Sequence, residues 1–172
     1  MKALIPLFGG GSELRQLENA AVYRDLIDTN EKTAEYGLTL SEGDARELVE
    51  VRSRSLRENE RVELGSGAIM ELIDKFCTSS YLNASNYAES LGELLDIFYY
   101  FKTESRDAIS DNDLVGAMFT YFEGPCHGSI ELLAGRDLET LLRYIKEGRT
   151  STVLDRYDNY DSYPDRLGGD AK

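Results

Sequence analysis

Cys126 and His127 are the adjacent residues best suited to chemistry, and His127 is the only histidine in the chain. A thiol beside an imidazole could act as a nucleophile with its base if a loop brought the two side chains together. The side chains of adjacent residues generally point apart, which is a poor arrangement for proton transfer. We therefore expect a structural turn here and keep Cys126 and His127 as the candidate catalytic residues.

Three acidic residues, Glu89, Glu93 and Asp96, recur at helical spacing and could suggest a metal row. A di-iron helical site takes carboxylates together with Glu-x-x-His pairs from two helices, and a single histidine cannot supply two such pairs. The two cysteines and the histidine provide at most three of the four zinc ligands, without a signature spacing. We expect no metal and no cofactor, and we interpret the acidic row as a solvated face or a patch for a basic protein partner.

Arg52 is the candidate ligand-binding residue because it falls on the apolar face of a predicted helix, four residues from both Leu48 and Leu56. An arginine in this position either extends outward along its aliphatic stem or pairs with a carboxylate from a neighbouring helix. An anion-binding role is the remaining alternative.

The last residues are rich in tyrosine and aspartate, and no helical apolar period continues past Arg149. Tyrosine rings are rigid and amphipathic, and they are enriched in protein contacts. We expect residues 1–148 to form one helical domain and residues 149–172 to form a flexible acidic tail. Within that tail, Tyr157, Tyr160 and Tyr163 are the candidate interaction residues.

The elements that position these residues are predicted to be helices, six or seven in number, in an all-α single-domain bundle. The central one is Tyr87–Lys102, the longest segment rich in apolar and aromatic residues. Its predicted core face has the spacing of one side of a helix. That face consists of Tyr87, Leu91, Leu94, Leu95, Phe98 and Phe101.

Capping residues predict where several helices begin. Thr39 with Glu42 has the spacing of a capping box, Ser110 precedes a run of acidic residues, and Asp137 precedes the last helix. Gly135 is expected to end the short helix before it. The triplet Gly9–Gly11 lacks the lysine and serine or threonine of a phosphate-binding loop, so it is interpreted as a hinge before a helix capped by Ser12.

The chain has 172 residues and a net charge of −13. Between Glu63 and Glu131 there are 12 acidic and 3 basic residues. Such a surface repels phosphate groups, so we expect neither nucleic acid nor membrane as a partner. No apolar run is long enough for a membrane span or a signal peptide, which favours a cytoplasmic protein with its two cysteines as thiols.

The sequence resembles an uncharacterised family of bacterial proteins, found mainly in Firmicutes and known only as a domain of unknown function. The resemblance extends from about Leu38 to Ile145. It is carried by LTLSEGDARELVEVRSRSLRENERVELGSG, NYAESLGELLDIFYYFKTES, SDNDLVGAMF and GSIELLAGRDLETLLRYI. It implies a helical bacterial domain, and it supplies no activity, cofactor or catalytic residue.

The recognisable patterns are helix caps and core faces, and none is a reactive constellation. We therefore predict a non-enzymatic protein-interaction or regulatory module. The alternative is an enzyme or small-ligand binder with a helical pocket that uses Arg52 or the Cys126–His127 loop. The sequence does not determine the oligomeric state.

Overall fold

A computed structural model describes residues 10–149 of the chain. This part contains no strand, and six of its helices have nine residues or more, which confirms the all-α fold class. Short helical segments at Ala34–Tyr36 (3-10) and Leu133–Asp137 (π) adjoin the α-helices Asn30–Thr33 and Leu138–Lys146. The α-helices are α1 (Gly10–Asp28), α2 (Asn30–Thr33), α3 (Glu42–Glu58), α4 (Ala68–Phe76), α5 (Tyr87–Glu104), α6 (Asp111–Glu123), α7 (Ile130–Leu132) and α8 (Leu138–Lys146).

The chain divides into two compact units within α5, between Tyr100 and Phe101. In the first unit, α3, α4 and most of α5 each bury an apolar face, which includes Leu48, Leu72 and Leu94. In the second unit the buried apolar side chains come mainly from α6, the π-helical segment and α8. None of the helices in residues 10–149 is long and apolar enough to cross a membrane.

Helix α5 matches the predicted central helix and continues two residues beyond its predicted end. All six residues of its predicted core face are buried. The apolar period of this segment was therefore sufficient to identify both the helix and its inner side.

Helix α3 begins two residues later than its predicted capping box. The reciprocal bonds are made by Ser41 and Asp44, since the Asp44 N–H donates to Ser41 Oγ (3.1 Å) and the Ser41 N–H donates to Asp44 Oδ2 (2.8 Å). The Asn30 side chain accepts from the Leu40 N–H (2.7 Å) and donates to the Leu40 carbonyl (2.8 Å). Because Leu40 is held by these bonds, Thr39 cannot be the cap, and that prediction was wrong.

Of three other predicted helix ends, one was confirmed and two were wrong. Ser110 caps α6 as predicted, accepting from the Asp113 N–H (3.1 Å). Gly135 does not end a helix, because the chain continues through the π-helical segment into α8. Asp137 makes no side-chain cap, since its carboxylate is hydrogen-bonded to Cys126 instead.

The predicted glycine hinge before α1 is also corrected. Gly10 and Gly11 belong to the first turn of α1, and Ser12 follows them inside the helix. The N–H groups in the first turn of a helix make no hydrogen bonds within that helix. The conformation of the first turn therefore depends less on such hydrogen bonds than the conformation of the interior does.

Candidate functional site

A groove lies between α3 and α5 in the first unit, with a volume of about 440 Å³. It combines an apolar floor with a strongly acidic lining. The floor consists of Leu48, Val51, Ala88 and Gly92. The carboxylates are Asp44 and Glu47 from α3 and Glu89, Glu93 and Asp96 from α5, and Arg54 is the one basic residue of the lining.

Two contacts show how α3 and α5 form the walls of this groove. A Cβ at Gly92 would lie 3.8 Å from Leu48 Cδ2 and 3.9 Å from Val51 Cγ1. Further along both helices, Arg54 Nη2 donates to Asp96 Oδ2 at 3.1 Å. Because residue numbers rise together along the two contacts, α3 and α5 run in the same general direction beside the groove.

Three of the five carboxylates have no partner within the part of the chain that the structure describes. Glu47, Glu89 and Glu93 are exposed and make neither a side-chain hydrogen bond nor an ion pair with residues 10–149. By contrast, Asp44 completes the cap of α3 and Asp96 binds Arg54. The groove therefore presents unpaired negative charge above an apolar floor.

This arrangement has an electrostatic cost within the chain. Glu89 and Glu93 are four residues apart on α5, and like charges at this spacing destabilise a helix by about 0.2–0.5 kcal/mol. Asp96, one turn further on, has a buried Oδ1 without a hydrogen-bond partner. A cationic group in the groove would relieve the repulsion.

Arg52, the candidate ligand-binding residue, lies in a buried network in the first unit and is 3% exposed. Its guanidinium donates to Glu63 Oε1 (3.2 Å) and to the Gly65 carbonyl (2.6 Å), while the Tyr99 hydroxyl donates to Glu63 Oε1 (2.8 Å). Burial and the neighbouring Glu63 carboxylate raise the pKa of Tyr99. The partner carboxylate comes from the loop between α3 and α4, and not from a helix.

The backbone at Gly67 allows this network to form. A Cβ at that position would lie 2.5 Å from the Glu63 Cδ atom, and the Gly67 φ of +46° is disfavoured for residues with a side chain. Because Arg52 is surrounded by acceptors of its own chain, its contacts favour the structural interpretation. Its ligand-binding role stays a prediction.

Cys126 and His127 lie in the second unit, in the turn that follows α6. Cys126 is buried, and its thiol donates to Asp137 Oδ2 at 2.8 Å. Burial, reinforced by the Asp137 carboxylate, raises the pKa of Cys126 to about 12. A thiol that stays protonated at neutral pH is a weak nucleophile, so the geometry disfavours the catalytic role that remains a prediction for this pair.

His127 is exposed, with a left-handed φ of +48°. Arg136 also fixes this turn, since its Nη2 donates to the Pro125 carbonyl (3.0 Å) and to Asp137 Oδ2 (2.9 Å). Sequence reasoning assigned Asp137 to a helix cap and overlooked Arg136. A contact between residues ten or more positions apart leaves no local pattern that would have revealed either role.

Two further clefts each contain one ion pair formed within the chain. One, of about 260 Å³ beside α1, α2 and α4, contains the Lys32–Asp74 ion pair at 2.8 Å. The other, of about 560 Å³ in the second unit, contains the Lys146–Glu104 pair at 3.5 Å. Across residues 10–149 no cluster of three His, Cys, Asp or Glu side chains could hold a metal ion.

The groove could be found only in part from the sequence. The acidic row on α5 was interpreted as a solvated face or a patch for a basic partner, and the carboxylates of α3 that face it were not predicted. The candidate interaction residues Tyr157, Tyr160 and Tyr163 lie outside the described residues.

Comparison with known proteins adds one match. The sequence model that describes a family of unknown function (DUF6323) matches residues 25–151. No curated protein and no solved structure matches the chain.

Proposed function

Since the chain belongs to the family of unknown function DUF6323, its function must be sought in its own side chains, and we propose that it is a non-enzymatic protein-interaction module. In this proposal the groove between α3 and α5 binds a basic segment of a partner protein. The bacterial and cytoplasmic setting expected from the sequence is part of the same proposal.

The observation that carries the proposal is the imbalance of charge in the groove. Five carboxylates face one arginine, and three of the five have no partner in residues 10–149. Lysine and arginine side chains would supply the missing partners. The half-buried Val51 and Ala88 of the floor would add contact area that is removed from water on binding.

The net charge of −13 supports the same class of partner. A field of one sign accelerates encounters with oppositely charged proteins and repels like-charged ones. Nucleic acids and anionic membranes are therefore outside the proposal.

The alternative, an enzyme or small-ligand binder, has less support from the contacts. Arg52 is engaged by Glu63 and Gly65, and the Cys126 thiol is held protonated against Asp137. Neither residue presents a free reactive group to one of the clefts described above.

The tail is a second proposed contact of the same module. Tyr157, Tyr160 and Tyr163 combine apolar rings with hydroxyl groups, which suits them to a protein interface. Truncation after Arg149 should weaken partner capture if the tail contributes, and an unchanged set of captured partners would remove the tail from the proposal.

The groove itself is tested by capture from native cell extract with wild-type protein and two charge-reversed variants. The first variant is Glu47→Lys/Glu93→Lys in the groove. The second, Glu50→Lys/Glu58→Lys, makes the same charge change at exposed α3 positions outside it.

We expect a partner that binds the wild-type protein and the second variant but not the first, and that binds again when both proteins are purified. If every captured partner binds the two variants equally, the groove is not the binding site.

A further inference from the structure

We propose that the basic segment bound in the groove is an amphipathic α-helix with apolar residues along one side and lysines or arginines on both flanks. This inference rests on the proposed function and names the conformation of the partner. It follows from how the carboxylates and the apolar floor are arranged.

The carboxylates form two rows, one on each wall. On α3, Asp44 and Glu47 are three residues apart; on α5, Glu89, Glu93 and Asp96 follow at four and three residues. With a rise of about 1.5 Å per residue, the α5 row is roughly 10 Å long. That length matches about two turns of a bound helix.

Because Gly92 adjoins Leu48 and Val51 where the two helices meet, the apolar residues lie at the helix contact, with a row of carboxylates on each helix beside them. Gly92 and Leu48 are buried where the two helices meet, so the half-buried Ala88 and Val51 are the apolar residues of the floor that side chains of a ligand would contact. The floor is continued on the α3 side by Leu48 and Val51.

A helix matches this pattern better than an extended strand. In a strand, successive side chains point to opposite faces, so only alternate residues would enter the groove and the others would face solvent. A helix directs an apolar stripe at i, i+3, i+4 and i+7 toward the floor while residues beside the stripe project to both walls. Basic residues on both flanks would then reach Glu47 on one side and Glu89 and Glu93 on the other.

The groove residues that are already paired within the chain indicate where the basic groups of the bound helix lie. Arg54 and Asp96 neutralise each other at one end of the groove, and Asp44 is engaged in the α3 cap. The unpaired groups, Glu47, Glu89 and Glu93, lie between these two positions along the walls. We infer that the cationic side chains of the helix concentrate on this middle section.

The test uses two fluorescein-labelled peptides of about 15 residues, a length at which an isolated helix is marginally stable. Both are composed of lysine, leucine and alanine in the amphipathic order, and in one of them two central alanines are replaced by proline. Fluorescence anisotropy measures binding of each to the wild-type protein, to Glu47→Lys/Glu93→Lys and to Glu50→Lys/Glu58→Lys.

We expect the helical peptide to bind the wild-type protein at least about tenfold more tightly than the proline peptide, because proline interrupts a helix interior. Glu47→Lys/Glu93→Lys should bind the helical peptide about tenfold or more weakly than the wild-type protein does, while Glu50→Lys/Glu58→Lys should retain the wild-type affinity. Circular dichroism should show that the peptide gains helix when it binds.

The outcomes separate the two proposals. Equal, groove-dependent binding of both peptides would overturn the helix inference and leave the proposed function standing. Binding of neither peptide, or binding that the two protein variants weaken equally, would overturn both.

Discussion

The groove and the Arg52 network use the same kinds of charged side chain in opposite ways. Around Arg52, the carboxylate of Glu63 is bound by a guanidinium and a tyrosine hydroxyl inside the protein. In the groove, Glu47, Glu89 and Glu93 have no such partners in residues 10–149. Removing one member of the buried pair leaves the other charge uncompensated and destabilises the fold, whereas charge left unpaired in the groove is available to another molecule.

The largest loss of stability should follow from removing the carboxylate that pairs with Arg52. Glu63→Ala leaves the Arg52 guanidinium buried without its carboxylate, and removing one member of a buried pair costs about 3 kcal/mol or more of folding free energy. Urea denaturation measures this loss.

Glu93→Ala is the matched control in the groove. Because Glu93 is exposed and unpaired, its removal should change the free energy of unfolding by about 0.5 kcal/mol or less. Similar losses in the two variants would contradict the distinction between the two regions.

The Cys126–Asp137 pair is a second buried contact, and its contribution to stability should depend on pH. The pKa of Cys126 is raised from its ordinary value of 9.0 to about 12 in the folded protein. Below pH 9 the thiol is protonated in both states, so its contribution to stability is fully present. As pH rises from 9 to 12, the unfolded thiol ionises first and this contribution is lost.

Chemical denaturation at a series of pH values, with wild-type protein and Cys126→Ser, measures this linkage. The stability of wild type relative to the variant should fall above pH 9. A relative stability that does not change up to pH 12 would show that the thiol is not held protonated by its surroundings.

Gly92→Ala should separate stability from binding. The new methyl group would make ordinary contacts with Leu48 and Val51, and alanine is favoured over glycine in a helix by about 0.5–1 kcal/mol. The protein should therefore unfold at a higher temperature while its groove becomes shallower and binds the helical peptide less tightly.

Gly116→Ala in α6 is the control, because a Cβ there would contact nothing within 4 Å. It should also stabilise the protein but leave peptide affinity unchanged. If Gly92→Ala retains full affinity, the floor of the groove does not contact the ligand.

The smallest effect is expected for Glu93→Gln, because Glu93 lies beyond the first turn of α5 and gains nothing from the helix N-terminus. Removing one of two like charges at i, i+4 should stabilise α5 by about 0.2–0.5 kcal/mol at low ionic strength. The gain should disappear in high salt, since exposed charges are screened there. Thermal melts at two salt concentrations measure it, and destabilisation at low salt would indicate an unrecognised cationic partner of Glu93.

The helices could be predicted from the sequence where their signals are local. The apolar period of α5 and the Ser110 cap of α6 depend on residues within a few positions of one another, and both were identified correctly. The start of α3 was misplaced because Asn30, ten residues upstream, holds Leu40 out of the helix. A bond of that kind depends on tertiary structure.

Only one wall of the candidate site, on α5, could be predicted from the sequence. The spacing of Glu89, Glu93 and Asp96 indicated an acidic face, but the facing row on α3 and the close helix contact at Gly92 depend on how the two helices pack. Arg52 was expected either to extend outward or to pair with a carboxylate on a helix, whereas its partner Glu63 lies in a loop, where Gly67 permits a close approach. Neither arrangement has a local sequence pattern.

The most direct test of the central claim is an NMR titration of the isotope-labelled 172-residue chain with the helical lysine-rich peptide. We predict that the largest amide shifts fall on both walls of the groove, between Asp44 and Arg54 and between Ala88 and Asp96, and that they are absent in Glu47→Lys/Glu93→Lys. Shifts confined to residues outside these two segments would contradict the assignment of the groove as the binding site.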